Sequence, residues 1–187
     1  MNFFFRLFFV MPLGLKSRIK IFIYRFFGMK IGKKNRFEGG KCRALNTIVI
    51  GNNNAFFGGG YALWPVLENE NNNIKILIKN DSMFNRNFFI DACGYVEIGN
   101  GCMIGPDVYI TDSNHQYQFG ISPRLLPMNI GKVIIGDNCW IGAKSIILKN
   151  VELGENCVVA AGSVVTKSFP PGCIVAGVPA KLIKMTS

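Results

Sequence analysis

The sequence predicts an all-β solenoid of short stacked units, and three observations support this fold class. Aliphatic residues recur at every sixth position, glycine often follows them directly, and a small or β-branched residue stands four places after them. A six-residue unit is too short for a helix and its return, so each unit is expected to form a short strand and a corner. Such units cannot bury an apolar face alone but stack into one continuous core.

The six-residue period runs unbroken through the C-terminal half of the chain. It also appears upstream, where a two-residue expansion separates Ile90 from Ile98. Three units are expected to close one triangular coil, with the aliphatic side chains stacked inside. The positions in phase are Ile78, Phe84, Ile90, Ile98, Ile104, Ile110, Ile135, Ile141, Ile147, Leu153, Val159 and Val165.

The flanking residues fit strand ends and corners. Asn100-Gly101, Asp137-Asn138 and Glu155-Asn156 place residues at the corners that tolerate a left-handed backbone conformation. Glycine follows the aliphatic positions at Gly99, Gly105, Gly136, Gly142 and Gly154. The small or β-branched residues are Ser82, Cys102, Val108, Cys139, Ser145, Val151, Cys157 and Ser163.

The chain divides into three regions. Residues 1–37 are a basic, aromatic segment that we expect to be helical, residues 38–172 form the solenoid, and residues 173–187 cap its open end. The period stops between residues 115 and 132, where HQYQFGISPRLLPMNIGK contains two prolines and no aliphatic phase. This excursion is either a binding loop held on a rigid scaffold or a tolerated insertion.

The net charge of +10 is concentrated at the N-terminus, because residues 1–37 contain nine basic residues and no acidic one. The cations and Pro12 interrupt every window long enough to span a membrane, and no small-residue cleavage site suggests a signal peptide. The segment either packs against the body and its subunit neighbours or lies on an anionic membrane surface, and the two are compatible. Nucleic acid is not expected as a partner, since no recognisable module accompanies the charge.

The six cysteines form no CxxC pair and no cluster with histidine. The sequence therefore predicts neither a disulfide framework nor a metal site. Several cysteines share one phase of the repeat, so we expect them to be small buried groups. This fits a reducing cytoplasm.

Three segments carry a family resemblance: IGNGCMIGPDVYITDSNH, VIIGDNCWIGAKSIILKNVELGENCVVAAGSVVTKSFPPG and CIVAGVPAKLIK. They resemble the hexapeptide-repeat acyltransferases, and more narrowly the O-acetyltransferases of sugars, xenobiotics and bacterial surface polysaccharides, which include the maltose and galactoside acetyltransferases. The resemblance covers residues 74–184, while residues 1–70 match weakly. It implies a left-handed parallel β-helix, acetyl-CoA as co-substrate, and a homotrimer with active sites in the clefts between subunits.

His115 is the only histidine in the chain. A lone histidine is often structural, but His115 ends ITDSNH, where the resemblance places the catalytic base. A neutral imidazole can accept the acceptor's hydroxyl proton as the oxygen attacks the thioester, and the imidazolium can then protonate the thiolate. A single histidine does not fit the carbonic anhydrases built on this helix, which bind zinc through several.

Three other residues are candidates for the acceptor side of the site. Asp112 could orient His115, as could Ser113, Asn114 or a backbone carbonyl. Trp140 offers an indole N–H to the oxyanion, or is an exterior aromatic that packs against a neighbouring subunit. Asn85 lies where relatives contact an acceptor sugar, or is only a turn asparagine.

The resemblance also implies the coenzyme-binding positions. A lysine in place of arginine keeps the charge that phosphates require but loses bidentate geometry. Any one of these lysines could instead be a solvated surface residue. The implied positions are Ala143, Ala161, Thr166, Lys167, Lys181 and Lys184.

The sequence therefore predicts an acetyl-CoA-dependent O-acetyltransferase that uses no metal and acts on a bacterial surface polysaccharide or its lipid-linked precursor. It is expected in the cytoplasm, with peripheral contact to the inner membrane through residues 1–37. The alternatives are an N-acetyltransferase of an amino sugar nucleotide, an antibiotic-modifying acetyltransferase, and a non-catalytic solenoid.

Overall fold

The computed structural model describes residues 11–66 and 73–186. Within them, one α-helix, α1 (Met11–Phe26), precedes a series of short strands. Consecutive strands around each coil belong to three different parallel sheets, so the solenoid has three faces. No helix in the described part of the chain is long and apolar enough to cross a bilayer.

Each sheet collects one strand from each coil. Sheet A contains β1 (Lys30–Ile31), β4 (Ile48–Ile50), β7 (Ile76–Ile78), β10 (Tyr95–Ile98), β15 (Lys132–Ile135) and β18 (Val151–Leu153). Sheet B contains β2 (Arg36–Phe37), β5 (Ala55–Phe56), β8 (Met83–Phe84), β11 (Met103–Ile104), β16 (Trp140–Ile141), β19 (Val158–Val159), β21 (Cys173–Gly177) and β22 (Ala180–Met185). Sheet C contains β3 (Lys41–Cys42), β6 (Ala62–Pro65), β9 (Phe89–Ala92), β12 (Tyr109–Thr111), β17 (Ile146–Ile147) and β20 (Val164–Val165).

The aliphatic positions in phase stack into the core. Ile135 pairs with Leu153 in sheet A, and Ile141 pairs with Val159 in sheet B, three units further along the chain in each case. All twelve predicted core side chains are buried, none of them more than 2% exposed. Toward the N-terminus aromatic rings continue the sheet B column, where the Phe56 ring stacks on Phe84 at 4.7 Å between centroids. The predicted period is confirmed.

The glycines after the aliphatic positions are explained by the next coil. A Cβ on Gly136 would lie 2.6 Å from the backbone nitrogen of Glu155, and one on Gly142 would lie 2.6 Å from that of Ala161. The predicted corners are also confirmed, because Gly101, Asn138 and Asn156 all have positive φ.

The two ends of the solenoid differ from the expected boundaries. α1 ends at Phe26, and β1 and β2 already pair with coil strands, so the solenoid begins before residue 38. At the other end β21 still continues sheet B, and β22 folds back on it antiparallel. Residues 1–10 of the basic segment lie outside the described residues.

The predicted excursion is an antiparallel hairpin outside the coils. It is formed by β13 (Ser113–His115) and β14 (Met128–Ile130), with a 3₁₀ turn at Pro123–Leu125 between them. The hairpin leaves after β12 of sheet C and returns at β15 of sheet A. It therefore projects from the edge of the prism where sheets C and A meet, across from sheet B.

Candidate active site

His115 lies at the start of the excursion. It ends β13 opposite Met128 of β14, and its side chain is exposed. The hairpin forms an open cleft of about 410 Å³ beside it, lined by His115, Pro123, Arg124, Leu126, Pro127 and Met128. An exposed imidazole in a cleft can reach a substrate hydroxyl, which a buried structural histidine could not do.

Asp112 anchors the base of the hairpin. Its carboxylate is fully buried and accepts hydrogen bonds from the backbone N–H groups of Cys93 and Gly94, both at 2.8 Å. Its carbonyl accepts a bond from the Gly131 N–H at 2.7 Å, which joins the two ends of the excursion. Burial raises the pKa of Asp112, and the backbone donors oppose that rise. In the single chain its carboxylate thus holds the preceding coil rather than the imidazole.

Asp91 is a candidate that the sequence analysis missed. It pairs with Thr111 one coil before the hairpin, and Tyr109 donates its hydroxyl proton to the Asp91 Oδ2 at 3.2 Å. The other carboxylate oxygen is buried without a hydrogen-bond partner among the described residues. Burial raises the pKa of Asp91. The only feature of the sequence that could have pointed to Asp91 was the break of the six-residue period at FIDACG.

Asn85, Trp140 and Ala143 come together on the outer side of sheet B. They line a groove of about 230 Å³ with Phe57, Met83, Met103, Ile104, Gly105 and Pro106. Trp140 is 54% exposed, so its indole faces outward. Asn85 uses its side-chain oxygen to accept the Arg86 N–H at 2.8 Å, as a turn asparagine does.

The implied coenzyme positions fall into two regions. Thr166 and Lys167 follow β20, on the same C–A edge as the excursion. The others lie along sheet B and its corner with sheet C. There Ala143 and Ala161 belong to successive coils, joined by a 2.8 Å bond from the Gly162 N–H to the Ala143 carbonyl. Lys181 and Lys184 are exposed on β22.

The candidate residues thus form two surfaces within one chain. One is the C–A edge, with His115, Thr166 and Lys167, and the other is the sheet B groove with Asn85 and Trp140. None of the described residues lines both clefts. Over residues 11–66 and 73–186, no group of three or more His, Cys, Asp or Glu side chains could hold a metal ion.

Comparison with known proteins adds the family context. A family model described as the hexapeptide repeat of succinyl-transferase matches residues 132–167. A Dictyostelium discoideum protein, provisionally named an acetyltransferase, is 46% identical over 99 residues, which cover 51% of this chain and 50% of that protein. An Escherichia coli (strain K12) protein, provisionally named the lipopolysaccharide biosynthesis O-acetyl transferase WbbJ, is 32% identical over 97 residues, covering 48% and 50%. The chain spans about half the length of these curated relatives.

Solved structures share the fold over nearly the whole chain. A variant of AntD, an N-acyltransferase from Bacillus cereus in complex with dTDP and coenzyme A, matches with a TM-score of 0.75 at 22% identity. The match covers 90% of this chain and 89% of that one. The predicted left-handed parallel β-helix is thereby confirmed.

Proposed function

We propose that this chain, which has the repeat and fold of the hexapeptide-repeat acetyltransferases, transfers acetyl groups from acetyl-CoA to a sugar hydroxyl. The observation that carries the proposal is His115, the only histidine in the chain, exposed in the cleft at the mouth of the excursion. The acceptor is a hydroxyl of a bacterial surface polysaccharide or of its lipid-linked precursor.

In the proposed mechanism His115 is the general base. The neutral imidazole takes the acceptor's hydroxyl proton while the oxygen attacks the thioester carbonyl of acetyl-CoA. The tetrahedral oxyanion is stabilised by backbone N–H groups at the glycine corners and by the indole N–H of Trp140. When the intermediate collapses, the C–S bond breaks and the imidazolium protonates the departing thiolate. The products are an acetyl ester and free coenzyme A.

The coenzyme is held by the two small-residue corners and by lysines. Ala143 and Ala161 leave room for the pantetheine arm to approach the backbone. Lys181, Lys184 and Lys167 are exposed and supply positive charge for the pyrophosphate and the ribose phosphate. Thr166 adds a hydroxyl on the same edge as His115.

The active enzyme is proposed to be a homotrimer. In one chain His115 lies on the C–A edge, whereas Trp140 and Asn85 face outward from sheet B. A threefold arrangement that sets the C–A edge of one chain against sheet B of the next would complete one site from two chains. The exposed Met83, Met103 and Trp140 offer apolar area for that contact.

The second candidate is N-acetylation of an amino sugar nucleotide. It is favoured by the fold shared with AntD, an N-acyltransferase in complex with dTDP. WbbJ, named for O-acetyl transfer in lipopolysaccharide biosynthesis, favours the hydroxyl. The proposal also includes contact of residues 1–37 with a membrane, where lipid-linked glycan precursors would be met.

A thiol-release assay with a panel of acceptors tests the proposal. Release of coenzyme A should depend on a glycan, and the product should gain one acetyl group by mass. Hydroxylamine cleaves acetyl esters but not acetamides, so loss of the added mass on treatment identifies O-acetylation. A resistant product on an amino sugar nucleotide would instead support the second candidate. If none of the sugars causes release of coenzyme A, both candidate functions are contradicted.

A further inference from the structure

We infer that the cleft between α1 and the first coil is a binding site for the phosphate-bearing headgroup of an anionic membrane lipid. The inference deepens the membrane contact of the proposed function, but it rests on a surface distant in the fold from the excursion and stands whether or not acetyl transfer occurs.

Three contacts fix which side of α1 faces the body. Ser17 is buried, and its hydroxyl oxygen accepts the Phe37 N–H at 2.8 Å. Lys20 donates to the carbonyls of Gly39 and Gly40 in the first coil of the solenoid. Tyr24 is buried against Phe37, edge to face at 5.9 Å. Because these residues recur at helical spacing, the opposite side of α1 faces outward.

The outward side of α1 is an apolar ridge. Leu15, Ile19, Phe22 and Phe26 are 61%, 52%, 71% and 77% exposed, and they lie one above the other along the helix. Phe27, just beyond the helix, is 62% exposed. A contiguous exposed apolar surface of this kind indicates a binding partner or a membrane.

Cations converge beside this ridge. Arg18 and Arg25 of α1 and Lys33 and Lys34 of the first coil line a cleft of about 460 Å³, together with Phe22. Arg25 is held in place because its Nη2 donates to the carbonyls of Ile31 and Gly32 at 2.9 and 2.8 Å. The described residues that line the cleft include no acidic side chain.

Among the described residues, no acidic side chain forms an ion pair with these four cations. Glu38 is the only acidic residue between positions 11 and 66, and it pairs with Arg36. Four uncompensated cations in a concave surface attract an anion, and guanidinium groups match phosphate oxygens in geometry.

The ridge and the cleft together identify the source of the anion. A soluble phosphate would satisfy the cations but leave Phe22 and Phe26 exposed. A second copy of this face would cover the apolar ridge but would bring the same cations together. An anionic lipid surface satisfies both, since the headgroup meets the cleft while the aromatic side chains enter the acyl boundary.

Vesicle flotation of the full-length protein tests the site, using phosphatidylcholine vesicles with and without phosphatidylglycerol. The cleft variant carries Arg18→Gln, Lys33→Gln and Lys34→Asn. The matched control carries Arg86→Gln, Lys132→Gln and Lys144→Asn, which removes the same charge elsewhere. Lys144 has the same positive φ as Lys34 (59°), so asparagine suits both positions equally.

The parent should bind only the anionic vesicles. The cleft variant should bind them roughly 100-fold more weakly, since each cation near the surface contributes on the order of a fivefold gain. The control should stay within about threefold of the parent. Equal losses in the two variants, or no binding by the parent, would overturn the proposal.

A second pair of measurements separates the other occupants. Phe22→Ser with Phe26→Ser should weaken vesicle binding without changing the mass of the protein in solution. A change in oligomeric state instead would assign the ridge to contact between copies. Tight calorimetric binding of inorganic phosphate without vesicle binding would assign the cleft to a soluble anion. Thiol release with a water-soluble acceptor, measured on the same variants, reports separately on acetyl transfer.

Discussion

At the scale of single residues, the cysteines show how the neighbouring coil restricts which side chain fits at a corner. The Cys102 thiol contacts the carbonyl of Gly136 at 3.2 Å, and the Cys139 thiol contacts that of Gly154 at 3.1 Å. Ser82 occupies the equivalent position and donates to the Gly99 carbonyl at 3.0 Å. Serine and cysteine can therefore occupy the same position along this corner, because each is small and donates to a carbonyl of the next coil.

Burial should make these thiols slow to react in the folded protein. It raises the pKa of Cys102, and it raises that of Cys139 to about 12. Cys42 is only half-buried, but its pKa is raised to about 11, again by burial. The thiolate is the reactive form of cysteine. An aromatic disulfide reagent near pH 8 should therefore label the native protein slowly. It should label all six cysteines only when the protein is unfolded in denaturant. Rapid native labelling of Cys102 or Cys139, located by mass spectrometry, would contradict this packing.

Asp137 provides a pH-dependent prediction. Its carboxylate accepts the Asn100 N–H at 2.8 Å and the Asn100 side-chain amide at 3.0 Å, and these bonds lower the pKa of Asp137. A lowered folded-state pKa adds stability above the unfolded-state value, and that stability is lost as the pH falls through the folded-state value. Asn80 and Asn100 repeat this contact in earlier coils, so asparagine should fit at this position.

The free energy of unfolding of Asp137→Asn should therefore be compared with that of the parent at pH 7 and pH 3 by urea titration. The advantage of the parent should be larger at pH 7 than at pH 3. A difference that does not change with pH would show that the charge of Asp137 adds nothing to stability.

At the scale of the element, glycine marks where one coil touches the next. In Gly136→Ala the new methyl group would meet the backbone of Gly154 and Glu155, which cannot move aside. This overpacking should lower the free energy of unfolding by about 1–3 kcal/mol. Gly59→Ala is the matched control, because nothing lies within 4 Å of its Cβ position and its φ is not positive. Equal urea midpoints for the two variants would contradict the close approach.

The elements differ in how far the sequence predicts them. The period identifies the core from Ile78 to Val165 because each side chain there repeats the environment of the one three units before. It does not extend back to β1 and β2, although Ile31 and Phe37 are six residues apart, because the regular coil spacing of 18 residues is lost there. Ile31 and Phe37 pair with Ile50 and Phe56 across 19 residues, and those two pair with Ile78 and Phe84 across 28. Nor does the period predict the pairing of Ser113–His115 with Met128–Ile130, because that hairpin depends on contacts across the excursion rather than on a local pattern.

The residues of the candidate site also differ in how far the six-residue period predicts their positions. Asn85, Trp140 and Ala143 meet because the repeat places them on one face, with Met83 and Trp140 both paired to Met103. Their proximity could have been worked out from the period. The Asp91 carboxylate oxygen that is buried without a hydrogen-bond partner among the described residues could not be predicted, since its burial depends on how the neighbouring coil and Tyr109 pack around it. The roles of His115, of Asp112 and of the coenzyme positions stay predictions.

At the scale of the whole molecule, the prism separates the two halves of the proposed site. The proposed trimer therefore predicts a mass in solution of about three times the 20.7 kDa of the chain, measured by sedimentation equilibrium. A monomeric mass at assay concentrations would contradict a site shared between chains.

Mixed assemblies test the shared site itself. Chains carrying His115→Ala and chains carrying Trp140→Ala should each be weakly active alone. When they are unfolded together and refolded, some interfaces should pair an intact His115 edge with an intact Trp140 face, so part of the activity should return. A mixture no more active than the sum of its two components would place both residues in the same single-chain site, or outside it.

The central claim is that His115 is the base that activates the acceptor. Its most direct test is turnover by thiol release on His115→Ala, with acetyl-CoA affinity measured by calorimetry on the same preparation. Gln116→Ala, at the exposed neighbouring position, is the control. Turnover should fall by about 10²–10⁴-fold, while coenzyme affinity and melting temperature stay near those of the parent, because the proposed coenzyme contacts are made by other residues. Near-parental turnover of His115→Ala with an acceptor that the parent acetylates would contradict the account.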